Sequence, residues 1–375
     1  MFSSYKIPLS MTNDLLTNDQ MTCDYLIVGQ GICGTFLSWN LRKHGARVLV
    51  IDEPQPFSAT KVASGIINPV TGRQVVTTWM AEELMNFAGE AYKAIGDDIG
   101  ADVINKKDII VFPPSQQMRD AYDKRIGEEN SYIKQSSPST FDAFKDVFFS
   151  YYGCAIIDPV WLIDLYPLLH GWRNLLHKQN MLREELFIPE YLVMKENVVT
   201  YKNVTAKKII FCNGINTFSM PWWQKLPFVF NKGEALIVDI GGLPANNIYK
   251  AGNSTIVPWY DGLWWVGSSY ENTFDDALPT ELFKRRKIQE LQQYVKLPVT
   301  VVDHLASLRP AVAIERRPFV GIHPTTQSIG ILNGMGTKGC SLAPYFAHQL
   351  TQNLLNGKPI DPLADVKRFA RILSH

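Results

Sequence analysis

Short apolar runs alternate with helix-period stretches along most of the chain. The first such unit is "LIVGQGICGTFLSWNLRKHGARVLVID", residues 26–52. Tyr25 to Val28 is a brief apolar run of the kind a buried parallel strand shows. Phe36, Leu37, Trp39 and Leu41 supply apolar helix positions, and His44-Gly45 is a helix stop. Arg47 to Ile51 predicts a second strand, closed by Asp52. Residues 58–74 are rich in Ser, Thr, Gly and Asn, which suits either a surface loop or a segment lying against a ligand. Trp79 to Ile95 is helical in pattern, and 109–150 alternates apolar runs with charge. Residues 156–179 predict a turn at Asp158-Pro159 followed by an amphipathic helix. Residues 196–214 read as two strands joined by a turn, the second ending in "KKIIFCNG". That ending is the profile of a central strand meeting a ligand at its carboxyl end. Three or four β segments follow, with Asp261-Gly262 as a hairpin turn. The last unit, "SIGILNGMGTKGCSLAPYFAHQLTQNLL", is a strand, a Gly-rich loop and a long helix. It repeats the opening architecture, so the nucleotide domain is assembled from separate segments with β-rich insertions between them.

The opening unit carries G-x-G-x-x-G at Gly29, Gly31 and Gly34. Gly29 permits the tight turn out of the strand, Gly31 lets the backbone approach a pyrophosphate, and Gly34 lets the helix pack closely on the strand. The helix N-terminus offers N–H groups and a positive dipole end to that phosphate. Asp52 stands where an acid accepts hydrogen bonds from a ribose diol. This favours an unphosphorylated ribose, in NAD or FAD. Spacing alone does not separate those two.

Composition narrows the remaining classes. The chain has 375 residues, 46% hydrophobic and 19% charged, long enough for two domains. A net charge of +1 gives no support to nucleic-acid or membrane attraction as a main function. No apolar run reaches the roughly 18 to 20 residues that span a bilayer. Residues 1–20 lack the features of a secretory signal and read as a disordered leader ahead of Met21. The five cysteines are scattered, without C-x-x-C, and the histidines form no cluster. A reduced, cytoplasmic setting and no metal site follow. Cys340 reads as helix packing and His44 as a helix-end residue.

Several ordered blocks, "VGQGICG", "SATKVASGIINP", "KKIIFCNG", "NKGEALIV", "TIVPWYDGLWWVGSSYE", "SLRPAVAIERRPFVG" and "LNGMGTKGCSLAP", together resemble the FAD-dependent amino-acid oxidases, that is D-amino-acid oxidase, glycine oxidase, sarcosine oxidase and their relatives. The resemblance covers about residues 23–360. The chain is also similar to the flavin domain of a tRNA 5-methylaminomethyl-2-thiouridine biosynthesis enzyme. The resemblance implies noncovalent FAD, with Gly29, Gly31 and Gly34 at the pyrophosphate and Asp52 at the adenosine ribose. It implies Ala63, Ser64 and Gly65 along the isoalloxazine or ribityl chain. It implies Gly334, Gly336, Thr337, Lys338 and Gly339 at the pyrimidine edge, where N–H groups stabilise reduced-flavin charge. Arg309 matches the arginine that forks a substrate carboxylate. Trp259, Tyr260 and Trp265 are candidates for the substrate side, against the alternative of core packing.

The expected fold is α/β, a Rossmann-like FAD domain (21–75, 150–225 and 303–375) beside a smaller antiparallel-sheet substrate domain (76–149 and 226–302). The expected reaction oxidises the C–N bond of an amino acid or related amine by hydride transfer to flavin N5, with oxygen or another acceptor taking the electrons. Two alternatives are a dehydrogenase using a non-oxygen acceptor and a tRNA-modifying flavoprotein. The sequence departs from the family between Arg309 and Gly321, which is one residue longer, with Glu315-Arg316-Arg317 replacing Asp-Gly. Trp259 stands where a basic residue often follows Val-Pro. Trp265 stands where sarcosine-oxidase-like members carry an oxygen-activating lysine, and their flavin-attaching cysteine has no counterpart.

Overall fold

A computed structural model describes residues 20–128, 131–195, 198–313 and 315–374. The expected leader lies outside these apart from Gln20. The opening unit forms β1 (Met21–Val28), α1 (Ile32–Lys43) and β2 (Val48–Ile51). β1 begins four residues before the apolar run, and its first residues still pair with Val204–Phe211. His44 ends α1 as expected, its Nδ1 lying 2.8 Å from the Asn40 carbonyl.

β1 lies between Val204–Phe211 and β2, all parallel, and Ile329–Asn333 adds in parallel on the far side of Val204–Phe211. Antiparallel additions at Val198–Tyr201, Leu192–Lys195 and Phe319–Ile322 complete one side, and Leu182–Arg183 pairs with β2. One face of this sheet buries apolar residues of α1, Ala81–Ile99, Leu165–Lys178 and Gly339–Asn356. The opposite face packs on Phe187, Trp223, Phe228 and Phe319.

The second sheet runs Thr300–Val312, Phe228–Asp239, Trp264–Gly267, Ser254–Pro258, Ile248–Ala251, Ile104–Phe112, Ala155–Ile163 and Ile66–Ile67. It is antiparallel except that Ile248–Ala251 pairs in parallel with Ile104–Phe112. Asp261-Gly262 turns the hairpin at positive φ in both residues, as expected. Ala155–Ile163 and Thr300–Val312 belong to this second sheet, although they fall mostly within the sequence segments assigned to the nucleotide domain.

The turn expected at Asp158-Pro159 is absent; the strand Ala155–Ile163 continues through it. The pairing with Ile104–Phe112 shifts between Lys107 and Ile109, so Asp158 and Pro159 together oppose Asp108. A bulge is one of the few places in a sheet where a residue without an N–H is tolerated.

Gly29 has φ +98°, and a Cβ there would stand 2.7 Å from the Asn213 backbone. A Cβ on Gly34 would stand 1.8 Å from the Gly29 carbonyl oxygen. Neither neighbour is a side chain that can swing aside. Gly34→Ala is therefore expected to destabilise the cofactor-free protein by about 1–3 kcal/mol or more, the cost of overpacking against fixed backbone. Urea unfolding of the cofactor-free variant checks this, and an unchanged midpoint would refute the close-packing role.

Candidate functional site

Gly31 behaves differently from its two partners. It precedes α1 in extended conformation, and no side chain caps the helix there. A Cβ on Gly31 would meet only the Thr60 hydroxyl, at 3.4 Å. The space before the helix N-terminus is open, which is the geometry an incoming phosphate requires. The Ile32 N–H donates to that same hydroxyl at 3.2 Å, so α2 (Ala59–Val62) is joined to the start of α1.

Asp52 follows β2 as expected. One of its carboxylate oxygens accepts from the Gln30 N–H at 2.7 Å and the other from Arg173 Nη1 at 2.7 Å. Arg173 also donates to Gln30 Oε1 and pairs with Glu184. The acid is thus held at the mouth of the glycine turn. Sequence reasoning missed Gln30 and Arg173; Arg173 is on a helix 121 residues away, and nothing local marks it.

Ala63, Ser64 and Gly65 leave α2 toward the second sheet. Gly65 has φ +83°, and its Cβ would stand 2.0 Å from the Ile163 carbonyl. Its glycine is therefore required by the neighbouring strand, whatever else lies there. Trp265 is buried, and its indole N–H donates to the Val62 carbonyl at 3.0 Å. That bond fastens α2 to the second sheet. Trp259 packs edge-on against Tyr260 at the hairpin tip. The Tyr260 hydroxyl accepts from the Tyr166 N–H beside Asp164, and burial raises its pKa. Of the three aromatic candidates, only Trp265 reaches the cleft that holds Arg309.

That cleft is lined by Ala59, Val62, Ala63, Gly233, Trp265 and Arg309, among others. Arg309 sits in Thr300–Val312 directly opposite Asn231 of Phe228–Asp239. Its Nη1 donates to Asn231 Oδ1 at 2.8 Å and to the Ser269 carbonyl at 3.2 Å. No carboxylate pairs with it among the described residues, and burial lowers its pKa. The one-residue difference after Arg309 does not disturb it. The ladder is regular from Val312 back to Arg309, and Glu315 and Arg316 turn the chain at positive φ beyond the strand. Arg316 is exposed, and the Arg317 guanidinium stacks 3.9 Å from the Trp79 ring centre.

Alternate residues of this strand share one face. Ser307 donates to the Phe57 carbonyl just before α2, and Ala311 lies 3.5 Å from where a Gly336 Cβ would be. Arg309 is therefore placed between the segment leading into α2 and the Gly-rich loop. In that loop Gly334 and Gly336 have positive φ, residues Gly336–Lys338 make one 3₁₀ turn, and Gly339 opens the long helix Gly339–Asn356. Asn333 sets the loop's start: its Oδ1 accepts from the Gly334 N–H and its Nδ2 donates to Thr217 Oγ1 and the Gly214 carbonyl. Thr337 lies within the 3₁₀ turn. Lys338 donates to the Asn68 carbonyl at 3.0 Å and has no acidic partner among the described residues; burial lowers its pKa to about 8.

Two half-buried cations, Arg309 in the cleft and Lys338 in the Gly-rich loop, thus have no acidic partner among the described residues, and partial desolvation of an unpaired charge favours an incoming anion. Among the described residues no group of acids, cysteines and histidines forms a metal site. Open space at Gly31, a fixed Asp52 and cations without acidic partners fit FAD, whose pyrophosphate is anionic and whose ring takes on negative charge when reduced.

Two outcomes follow. Gly31→Val is expected to fold but purify largely without FAD, read from the flavin absorbance per polypeptide; full occupancy would refute the phosphate approach. For Lys338, the folded pKa lies below the unfolded value, so the unfolded chain binds the extra proton. The cost of its charge is fully present below about pH 8 and is relieved between pH 8 and 10.5. Lys338→Met is expected to stabilise the cofactor-free protein at pH 7 by at most about 3 kcal/mol, with the gain shrinking through that window. Urea midpoints at pH 7 and pH 10 test this, and a gain that grows with pH would be the wrong sign.

The family model described as DAO, FAD dependent oxidoreductase, matches residues 24–353. A stretch of 55 residues is 44% identical to the uncharacterized oxidoreductase YurR of Bacillus subtilis (strain 168), and it spans only 15% of this chain and 15% of that relative. Among solved structures, iminodiacetate oxidase from Chelativorans sp. BNC1 matches with a TM-score of 0.73 at 18% identity, over 90% of this chain and 96% of that one. Glycine oxidase from Geobacillus kaustophilus matches with a TM-score of 0.74 at 17% identity, over 92% and 98%. L-amino acid deaminase from Proteus vulgaris matches with a TM-score of 0.72 at 11% identity, over 94% and 98%. At these identities the structural matches speak for the fold, a mixed α/β cofactor sheet with an additional sheet beside it. The family match, covering most of the chain and the glycine cradle within it, makes this protein a member of the FAD-dependent oxidoreductase family.

Proposed function

We propose that the protein oxidises the C–N bond of an amino acid or related amine that carries a carboxylate. The observation that carries this reading is Arg309, a half-buried guanidinium with only neutral acceptors among the described residues, standing between the two segments expected to hold the flavin. A guanidinium so placed binds a carboxylate by paired charge-assisted hydrogen bonds. FAD, when bound, would supply the two-electron acceptor for a hydride leaving the carbon next to nitrogen. The chain's own part is positioning: Arg309 anchors the acid group, while Val62, Ala63 and Trp265 form the apolar wall. An amine that enters neutral needs no protein base, and water then hydrolyses the imine. The name of the Geobacillus neighbour, a glycine oxidase, and that of the Chelativorans neighbour, an iminodiacetate oxidase, are compatible with such a substrate.

We further assign the first sheet with its helices to the cofactor and the second sheet to the substrate. Noncovalent FAD is supported by Cys340, whose thiol is pushed up to about 12 by burial and whose main chain is tied to Tyr92. A carrier in place of oxygen is the second reading. Trp265, donating to Val62, occupies the position where an oxygen-activating lysine is expected from the resemblance. A cytoplasmic setting is supported by the five free cysteines. Among the described residues no helix is long and apolar enough to cross a membrane.

Anaerobic flavin bleaching against a panel of primary and secondary amino acids tests the reaction, and re-oxidation in air separates oxidase from dehydrogenase. With a substrate in hand, Arg309→Met is expected to lower kcat/KM at least about a hundredfold with FAD content unchanged. Arg309→Lys is expected to rescue poorly, because an ammonium cannot fork. Wild-type saturation by Arg309→Met would reject the assignment.

A further inference from the structure

The guanidinium of Arg309 rests on two neighbours from the strand Phe228–Asp239. Directly across the ladder, Asn231 is fully buried and uses both ends of its amide. Its Oδ1 accepts from Arg309 Nη1 at 2.8 Å. Its Nδ2 donates to the Glu271 carbonyl and to Asn272 Oδ1, both at 3.1 Å. The amide is thereby locked with its oxygen toward the arginine. Two residues on and on the same face, Gly233 lies beneath the guanidinium. A Cβ there would stand 1.8 Å from Nη2, 2.0 Å from Cζ and 2.6 Å from Nη1, and these three are the nearest atoms to it. Gly233 has no positive φ, so the backbone itself tolerates a side chain. What excludes one is the arginine.

We infer that Asn231 and Gly233 are positioning residues that aim Arg309 at the substrate carboxylate, Asn231 fixing one arm of the fork and Gly233 providing a flat seat under it. This rests on the reading of Arg309 given above. A neutral acceptor suits this role because it takes one N–H without cancelling the charge, so Nη2 and Nε are left for an incoming anion. A carboxylate at 231 would take the same place and neutralise the cation. Because the group displaced by a side chain at 233 is the far end of a flexible residue, Gly233→Ala is expected to fold with Arg309 pushed off its seat.

The experiment uses FAD-loaded protein and acetate as the carboxylate probe, followed by the change it causes in the flavin absorbance band. Arg309→Met reports the reading itself, and Asn231→Ala, Asn231→Asp and Gly233→Ala report the seat. Gly233→Ala and Asn231→Ala are each expected to weaken acetate binding about tenfold or more, as loss of an aligned charge-assisted pair does. Asn231→Asp is expected to weaken it further than Asn231→Ala, because its carboxylate competes with the probe; a merely structural role gives no reason for that order. In an Arg309→Met background, Gly233→Ala and Asn231→Ala are expected to add nothing. If Arg309→Met weakens acetate while Gly233→Ala and Asn231→Ala bind it like wild type, the positioning inference is overturned and the carboxylate reading stands. If Arg309→Met itself binds acetate like wild type, both fall. Should Gly233→Ala fail to hold FAD, the two Asn231 variants decide the inference alone.

Discussion

The contact of Gly34 with the Gly29 carbonyl is the constraint on which the cofactor half depends. It brings α1 against the turn after β1 at backbone distance, and Gly29 in turn abuts Asn213 at the end of the neighbouring strand. Three segments therefore meet with no side chain between them. Their meeting point lies at the carboxyl ends of parallel strands, where the helix N-terminus points its N–H groups outward. Gly31 is left facing open space because its two neighbours have already fixed the turn.

From that crossing the electrostatics run outward in two directions. Beside the glycine turn, acid and base are paired: Asp52 with Arg173, and Arg173 with Glu184. In the Arg309 cleft and the Gly-rich loop, the cations have no acidic partner among the described residues. Arg309 and Lys338 are held by carbonyl and amide oxygens, which orient them without neutralising them. The contrast is what the proposed reading requires, a neutral diol at the first region and negative charge at the second.

The cofactor half was legible in the sequence because its glycines report backbone demands, and such demands are local. The strand, turn, helix and strand of residues 21–52 and the last Gly-rich loop lie where the pattern puts them. The Asp158-Pro159 turn was misread because proline normally interrupts a strand; the bulge opposite Asp108, which accommodates it, is a property of the partner strand. Arg309 was legible only through family resemblance. Asn231 and Gly233 carried no signal, since their role comes from a cross-strand neighbour 78 residues away in the case of Asn231. Gly65 was assigned to the ligand, while its missing side chain answers to the Ile163 carbonyl.

The strand beneath Arg309 must also keep its register, and the face behind it shows how. Lys232 and Glu234 point away from the cleft and are buried there. Glu234 accepts from the Thr280 N–H at 2.6 Å and its hydroxyl at 2.9 Å, and lies 3.6 Å from Lys232 Nζ and 2.9 Å from His304 Nε2. A slip of one residue would exchange the two faces. It would strip these polar groups of their partners, costing several kcal/mol for a broken buried pair, and it would bring Lys232 and Glu234 together round to the cleft face. Asn231 and Gly233, which touch Arg309 in the observed register, would then face away from it. The buried polar cluster thus excludes the register that would unseat the guanidinium, and the cleft in front depends on the satisfied polar groups behind.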